Sequence, residues 1–350
     1  MFDDFSSTFK LNLTSIKKNI NLLLIMDVSG QLTFEDSPLI LKFNKVVTYI
    51  RNAEFNKALE IMEEILKINS EFPGLVESIK SIKFWQNRWL KILRTPQGKE
   101  QADILLDEWV NYENFSKSFS NQPEKIFIVI KNLIYKKILK NLIYAFQNSE
   151  VPNVELLKKI GEIFLEIDEN QKAIETLEYA RMFRKKDSYL LALLAESYSR
   201  EGNIQKAKSL FREAFLYNPQ EIDLSLIKSE LILEIVKTIK SKGIDEKMLL
   251  EWIPVYGAIL NIFNIKREIS YEELVRLTQE AEELEKEYYN RQFTNEFIEP
   301  KLINRYLWLI DYYRLQSPNK EYTKIYLNKL KELNPKIYEQ YSTIINLNNN

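Results

Sequence analysis

The chain has 350 residues, with 49 basic against 50 acidic side chains, a formal net charge of −1, and an apolar share of 45% that includes 19 Tyr, 19 Phe and 5 Trp. That apolar mass suits two or three helical layers or a continuous solenoid, and the balanced charge argues against a general nucleic-acid binder, which needs a surplus of Lys and Arg. There is no Cys and no His, so disulfides, thiolate nucleophiles, imidazole bases and ordinary zinc sites are excluded.

With only 7 Gly in the chain, tight turns and many-stranded sheets are poorly supplied, and an all-α fold is expected. The amino terminus opens Met1-Phe2-Asp3-Asp4, acidic where a secretory signal is basic, and the Leu22-Leu23-Leu24-Ile25-Met26 run is too short to cross a bilayer. The expectation is a cytoplasmic protein with no transmembrane segment, peripheral membrane association staying open. Leu22 to Phe34 reads either as a hairpin turning at Ser29-Gly30 or as a helical segment ending near Gly30. Asp27-x-Ser29-Gly30 matches only the start of a calcium loop, because the later ligand positions fail.

Further along, residues 75–94 place Trp85 and Trp89 on one helical face, and residues 101–120 do the same with Trp109, Tyr112, Phe115 and Phe119. Both stripes read as core packing rather than as stacking platforms for bases. Residues 126–147 continue the pattern with Lys136-Lys137 on the solvent side. In the middle, Gly161-x-x-Phe164 and Ala173-x-x-x-Leu177-x-x-Ala180 return as Ala195-x-x-Tyr198 and Ala207-x-x-x-Phe211-x-x-Ala214, with Ala173 and Ala207 34 residues apart. Small residues let two helices approach, an aromatic fills the gap beside them, Gly202 allows the turn and Pro219 stops the second helix. After the repeats, 222–242, 246–264, 270–292, 301–316 and 320–333 read as helices. Ser270-x-x-Glu273 is a capping box, and the Glu280 to Glu287 run is a solvated face.

The central pattern resembles the tetratricopeptide repeat family, with units at 154–187 and 188–221. Tyr49, Ala58, Met62 and Ile65 give a degenerate unit near the start. Leu307, Leu327, Leu330 and Pro335 give a weaker one near the end, where Thr323 replaces the small residue. Ala58 to Ala173 spans 115 residues, not a multiple of 34, so the array is interrupted. The resulting organisation is an irregular segment at 1–40, a helical domain with one degenerate unit at 41–150, the repeat units at 151–242, a carboxy-terminal helical region with a degenerate unit at 243–342, and a disordered tail at 343–350. The expected fold is all-α, antiparallel helix pairs in an interrupted tetratricopeptide-like α-solenoid.

The resemblance implies a partner-binding groove lined by Glu155, Lys158, Glu162, Glu166, Tyr189, Glu196 and Arg200, continued by Glu230 and Glu234. Glu162 and Glu196 stand where members that clamp a terminal carboxylate carry Asn or neutral residues, so a carboxylate clamp is disfavoured. A basic or mixed-charge protein segment is the expected partner. The interrupted array leaves two alternatives, an open groove or one filled by the chain's own helices. No phosphate-binding glycine loop or nucleophile elbow occurs, and neither a catalytic residue, a cofactor nor a metal site is expected. Three readings follow: a non-enzymatic protein–protein interaction scaffold or adaptor in a multiprotein assembly; a structural subunit of a membrane-associated bacterial machine for motility or secretion; and a helical-repeat RNA-binding or regulatory protein using Arg184-Lys185-Lys186, Lys206 and Lys208. For that basic run the plainer reading is an exposed inter-repeat loop.

Overall fold

The structure is a computed structural model and describes residues 38–121, 123–263, 268–290 and 295–347. Among the described residues there are fifteen α-helices and no strand. The amino-terminal part contains α1 (Pro38–Arg51), α2 (Phe55–Ile68), α3 (Leu75–Arg94), α4 (Lys99–Ser116) and α5 (Glu124–Gln147). The central part contains α6 (Val154–Glu166), α7 (Asn170–Phe183), α8 (Ser188–Arg200) and α9 (Ile204–Tyr217). The carboxy-terminal part contains α10 (Glu230–Ser241), α11 (Leu249–Ile259), α12 (Tyr271–Tyr289), α13 (Ile298–Asp311), α14 (Lys320–Leu333) and α15 (Pro335–Leu347). Consecutive helices pack as antiparallel pairs, most extensively α8 with α9, α6 with α7, and α1 with α2. No described helix is long and apolar enough to cross a membrane.

The 34-residue period is visible in the backbone. Helices α8 and α9 begin at positions 188 and 204, where α6 and α7 begin at 154 and 170. The turn inside each pair is the same. Asp168 (φ 59°) and Gly202 (φ 78°) are left-handed, and each is followed by an amide that reaches back five residues, Glu169 N–H to Phe164 O at 2.9 Å and Asn203 N–H to Tyr198 O at 2.9 Å. The α1–α2 turn repeats it with Ala53 (φ 57°) and Glu54 N–H donating to Tyr49 O at 2.8 Å. Small residues do what their spacing requires: Ala58, Ala173 and Ala207 are all fully buried at the same place in their helices. At Gly161 a Cβ would stand 2.6 Å from Leu177 Cδ2, so α6 and α7 touch where the side chain is missing.

The aromatic stripes are core at Trp85, Trp109 and Tyr112, whereas Trp89 and Phe119 are half-buried and Phe115 is exposed. Trp85 and Tyr112 are inaccessible, Trp109 nearly so, and with Phe84, Phe127 and Tyr135 they form edge-to-face and stacked contacts joining α3, α4 and α5. One hydrophobic cluster runs from Val46 to Phe263, and a second from Leu216 to Ile345. The core therefore continues through the expected division at 150/151.

Several expectations need correction. The stretch 222–242 is not one helix: two 3₁₀ turns, Pro219–Glu221 and Leu224–Leu226, precede an α10 that starts only at Glu230. Residues 301–316 end in a π-helical turn, Tyr312–Gln316, so α13 and α14 are joined unlike the three equivalent pairs. Pro335 does not close a unit but opens α15, with the Asn334 side chain accepting from Ile337 N–H at 3.0 Å. That helix extends to Leu347, so residues 343–347, expected in a disordered tail, are helical. Pro38 to Ile40 already belong to α1. The hairpin or helix at Leu22–Phe34 and the Asp27-x-Ser29-Gly30 motif lie outside the described residues. The capping box is present with both bonds, Glu273 N–H to Ser270 Oγ and Ser270 N–H to the Glu273 carboxylate, each 3.2 Å.

Candidate functional site

Helices α6 and α8 lie side by side and form one face of the two central pairs. Each is started by a side chain that accepts its third amide, Asn153 for Leu156 and Asp187 for Leu190. Asp187 then gains a second role. Its Oδ2 takes the Lys158 ammonium at 3.0 Å, while Lys158 also pairs with Glu155 at 3.0 Å and Arg184 bridges Glu155 and Asp187. Burial pulls the Lys158 pKa down, and the two carboxylates more than offset this, leaving it raised. Glu155 and Lys158 thus hold the junction between the repeats together. The Arg184-Lys185-Lys186 run is the exposed loop expected between α7 and α8.

The remaining residues of the face divide into two groups. Glu196 is fully buried, taking Arg200 Nε at 2.7 Å and Ser229 N–H at 3.0 Å. Arg200 spans outward from it, donating to Leu165 O at 2.7 Å and Leu226 O at 3.2 Å. These two side chains clamp the main chain of residues 226–229 against α8, so this half of the face is filled by the chain's own connecting segment. Glu196 and Arg200 are consumed inside the protein, which removes both from the predicted groove lining. Glu166 is likewise engaged, by Lys131 of α5 at 2.7 Å.

The other half is different. Glu162 and Tyr189 are half-buried neighbours on α6 and α8, with the Tyr189 hydroxyl beside the carboxylate. Asp223, exposed at the start of the clamped segment, is close enough to add its charge. Burial raises the Glu162 pKa; the Tyr189 hydroxyl and the Lys159 and Lys158 charges oppose this, Asp223 adds to it, and the pKa stays raised, while burial and the same two carboxylates push the Tyr189 phenol up. Among the described residues neither Glu162 nor Asp223 forms an ion pair, and neither do Glu230 and Glu234, exposed on α10. Asp223 was not among the predicted residues, because nothing in the spacing of a loop residue places it opposite α6.

A raised carboxylate pKa means that ionised Glu162 weakens the native state. Its unfavourable contribution is relieved as pH falls through the folded pKa toward the ordinary value of 4.5. Glu162→Gln, which keeps an acceptor for Tyr189, is therefore expected to raise the melting midpoint at pH 7. The difference between variant and wild type should shrink steadily in scans taken toward pH 4.5; a pH-independent difference would contradict this origin.

On another face, α7, α9 and α12 border a cleft of about 390 Å³ lined by Arg181, Met182, Lys185, Lys186, Tyr217 and Glu273. Arg181 meets Glu213 at 3.5 Å and the Tyr217 hydroxyl reaches Glu213 at 3.1 Å, so much of its charge is internally paired. Among the described residues no three acidic side chains converge to hold a metal ion. No family model matches the chain and no curated protein matches its sequence.

Proposed function

We propose that this chain is a non-enzymatic, cytoplasmic scaffold of the tetratricopeptide kind that holds a basic segment of a partner protein within a multiprotein assembly. The observation that carries the reading is the Glu162–Asp223 pair: two carboxylates near each other, one half-buried beside an aromatic ring, neither in an ion pair among the described residues, with Lys158 and Lys159 acting on Glu162 only from a distance and engaged with Asp187 and Asp103. A lysine or arginine of a partner supplies the missing charge and relieves the repulsion, and Glu230 and Glu234 extend the negative potential along its path. The identical turns at Ala53, Asp168 and Gly202 support the family reading. The filled half of the face restricts the partner to a short segment beside α6 and the start of α8.

The test is crosslinking and affinity purification of the tagged protein from its native cell, repeated with Glu162→Lys combined with Asp223→Lys. Crosslinks to a basic segment at residues 155–189 and 223–234 are expected, with binding weakened at least about tenfold, or about 1.4 kcal/mol, by the double reversal. Undiminished capture by the reversed protein would sink the proposal.

A further inference from the structure

Helix α3 is unusual in what it shows to solvent. Its inner side is closed by Ile82, Phe84, Trp85 and Ile92, all buried. Its outer side presents Val76, Lys80, Lys83, Asn87, Leu90, Lys91, Leu93 and Arg94, with no exposed carboxylate. Lys83, Lys91 and Arg94 form no ion pair among the described residues, and Lys80 only approaches the Phe119 ring, at 6.0 Å. Leu90 is 69% exposed in the middle of these cations. Val76, Lys83 and Leu90, like Lys80, Asn87 and Arg94, recur every seven residues, so the stripe runs straight along the helix for about 27 Å at 1.5 Å per residue.

Helix α12 carries the counterpart. Its exposed side presents Glu272, Glu282, Glu283 and Glu287 against a single cation, Lys286, with Tyr271, Val275 and Tyr289 alongside. None of the four glutamates forms an ion pair among the described residues. This stripe also has a seven-residue repeat, Glu272, Gln279, Lys286 and Val275, Glu282, Tyr289, and runs about 26 Å by the same rise. The two helices cannot serve each other within one molecule: α3 packs with α2, α4 and α5 in the first hydrophobic cluster, while α12 packs with α13 in the second.

We infer that α3 of one copy docks on α12 of a second copy, a head-to-tail contact between a basic, leucine-bearing helix face and an acidic, tyrosine-bearing one of matching length. The occupant follows from the complementarity. The two faces are of matching length and opposite in sign, and each adds apolar side chains to its charges, Leu90 among the cations of α3 and Tyr271, Val275 and Tyr289 along the acidic side of α12. Because the two surfaces differ, the contact is heterologous and leaves a free α3 at one end and a free α12 at the other, so it propagates into short chains. The contact is independent of the Glu162–Asp223 face, which stays open in every copy and is thereby presented several times.

The experiment is sedimentation velocity on the full chain at rising concentration, in about 0.05 M and about 0.5 M salt, between which the screening length shrinks from roughly 14 Å to about 4 Å. Self-association at low salt that reverts to single chains at high salt is expected. Lys83→Glu with Arg94→Glu, and separately Glu283→Lys with Glu287→Lys, should each weaken it at least about tenfold. Mixing the two reversed proteins should restore association as chains in which the two alternate, since the native α3 of one meets the native α12 of the other and reversed α3 meets reversed α12. Circular dichroism confirms that both reversed chains remain folded. A wild-type chain that stays single at every concentration overturns the inference, also when it sediments with anionic vesicles or binds an acidic peptide, which would assign α3 to that occupant. Association that survives both reversals, or a mixture of folded reversed proteins that does not associate, overturns it as well.

Discussion

Glu196→Ala is expected to lower the unfolding free energy by about 3–5 kcal/mol, the range for removing one partner of a buried ion pair. Three losses add at one point. Arg200, with a side chain only 17% exposed, keeps only the solvent-exposed Asp168 at 3.6 Å; the Ser229 amide loses its acceptor; and the main chain at Leu226 is then held by an arginine that is no longer fixed at its base. Glu196→Gln keeps an acceptor for Ser229 and loses only the charge facing Arg200, so it should cost clearly less. Urea denaturation gives the free energies, and limited proteolysis under native conditions should cut the alanine variant first within residues 222–229. A loss below about 1 kcal/mol for the alanine variant, the scale of an ordinary surface contact, would show that the clamp on this segment is dispensable.

That clamp also explains where the sequence misleads. Ile222, Leu224, Ile227 and Leu231 are spaced well enough to suggest a helix from 222, and Ile222 and Ile227 are indeed buried. The backbone of a helix, however, must satisfy its own amides and carbonyls along the ladder. Here Glu196 takes the Ser229 amide and Arg200 takes the Leu226 carbonyl, so side chains of α8 replace the ladder and the helix starts only at Glu230. Long-range competition of this kind leaves no local signature. Where packing agrees with local pattern, the reading is close: α3 and α14 occupy 75–94 and 320–333 as expected, because their buried residues are large, periodic and bounded by Gly74 and Asn319. Pro335 was ambiguous by nature, since proline both follows a finished helix and suits the first turn of a new one; the Asn334 cap decides for the second.

The site was legible to a lesser degree for a related reason. The tetratricopeptide resemblance assigns Glu162 and Tyr189 to one groove from their positions on their own helices, and the two are neighbours in the fold. Such positions do not identify what the chain lays over a helix afterwards. Glu196 and Arg200 are four residues apart, a spacing that fits a surface pair and a buried one equally. Only the path of residues 218–229 distinguishes them, and that path follows the interruption of the array.

Arg212→Ala is expected to cost about 3–5 kcal/mol as well, and to change the character of unfolding rather than only its midpoint. Arg212 is 6% exposed on α9 and joins the central pairs to the carboxy-terminal helices. Its guanidinium hydrogen-bonds Asp311 of α13 and stacks 4.2 Å from the Trp308 ring, while Tyr341 of α15 donates to the same aspartate at 2.6 Å. Burial and the Asp311 charge hold the Tyr341 pKa well above its usual value, so it stays a donor at every physiological pH. Removing the arginine leaves Asp311 with Tyr341 and a 3.7 Å contact to Arg314. It also removes an ion pair between α9 and α13, in a region where the second hydrophobic cluster takes only Leu216 and the partly buried Tyr217 from the end of α9. Calorimetry should therefore resolve two transitions in the variant where the wild type shows one, the earlier belonging to α12–α15. In a double-mutant cycle with Asp311→Ala the coupling energy should exceed about 1 kcal/mol, as for partners sharing one buried network. Additive losses would assign the connection between the two halves to apolar contact alone.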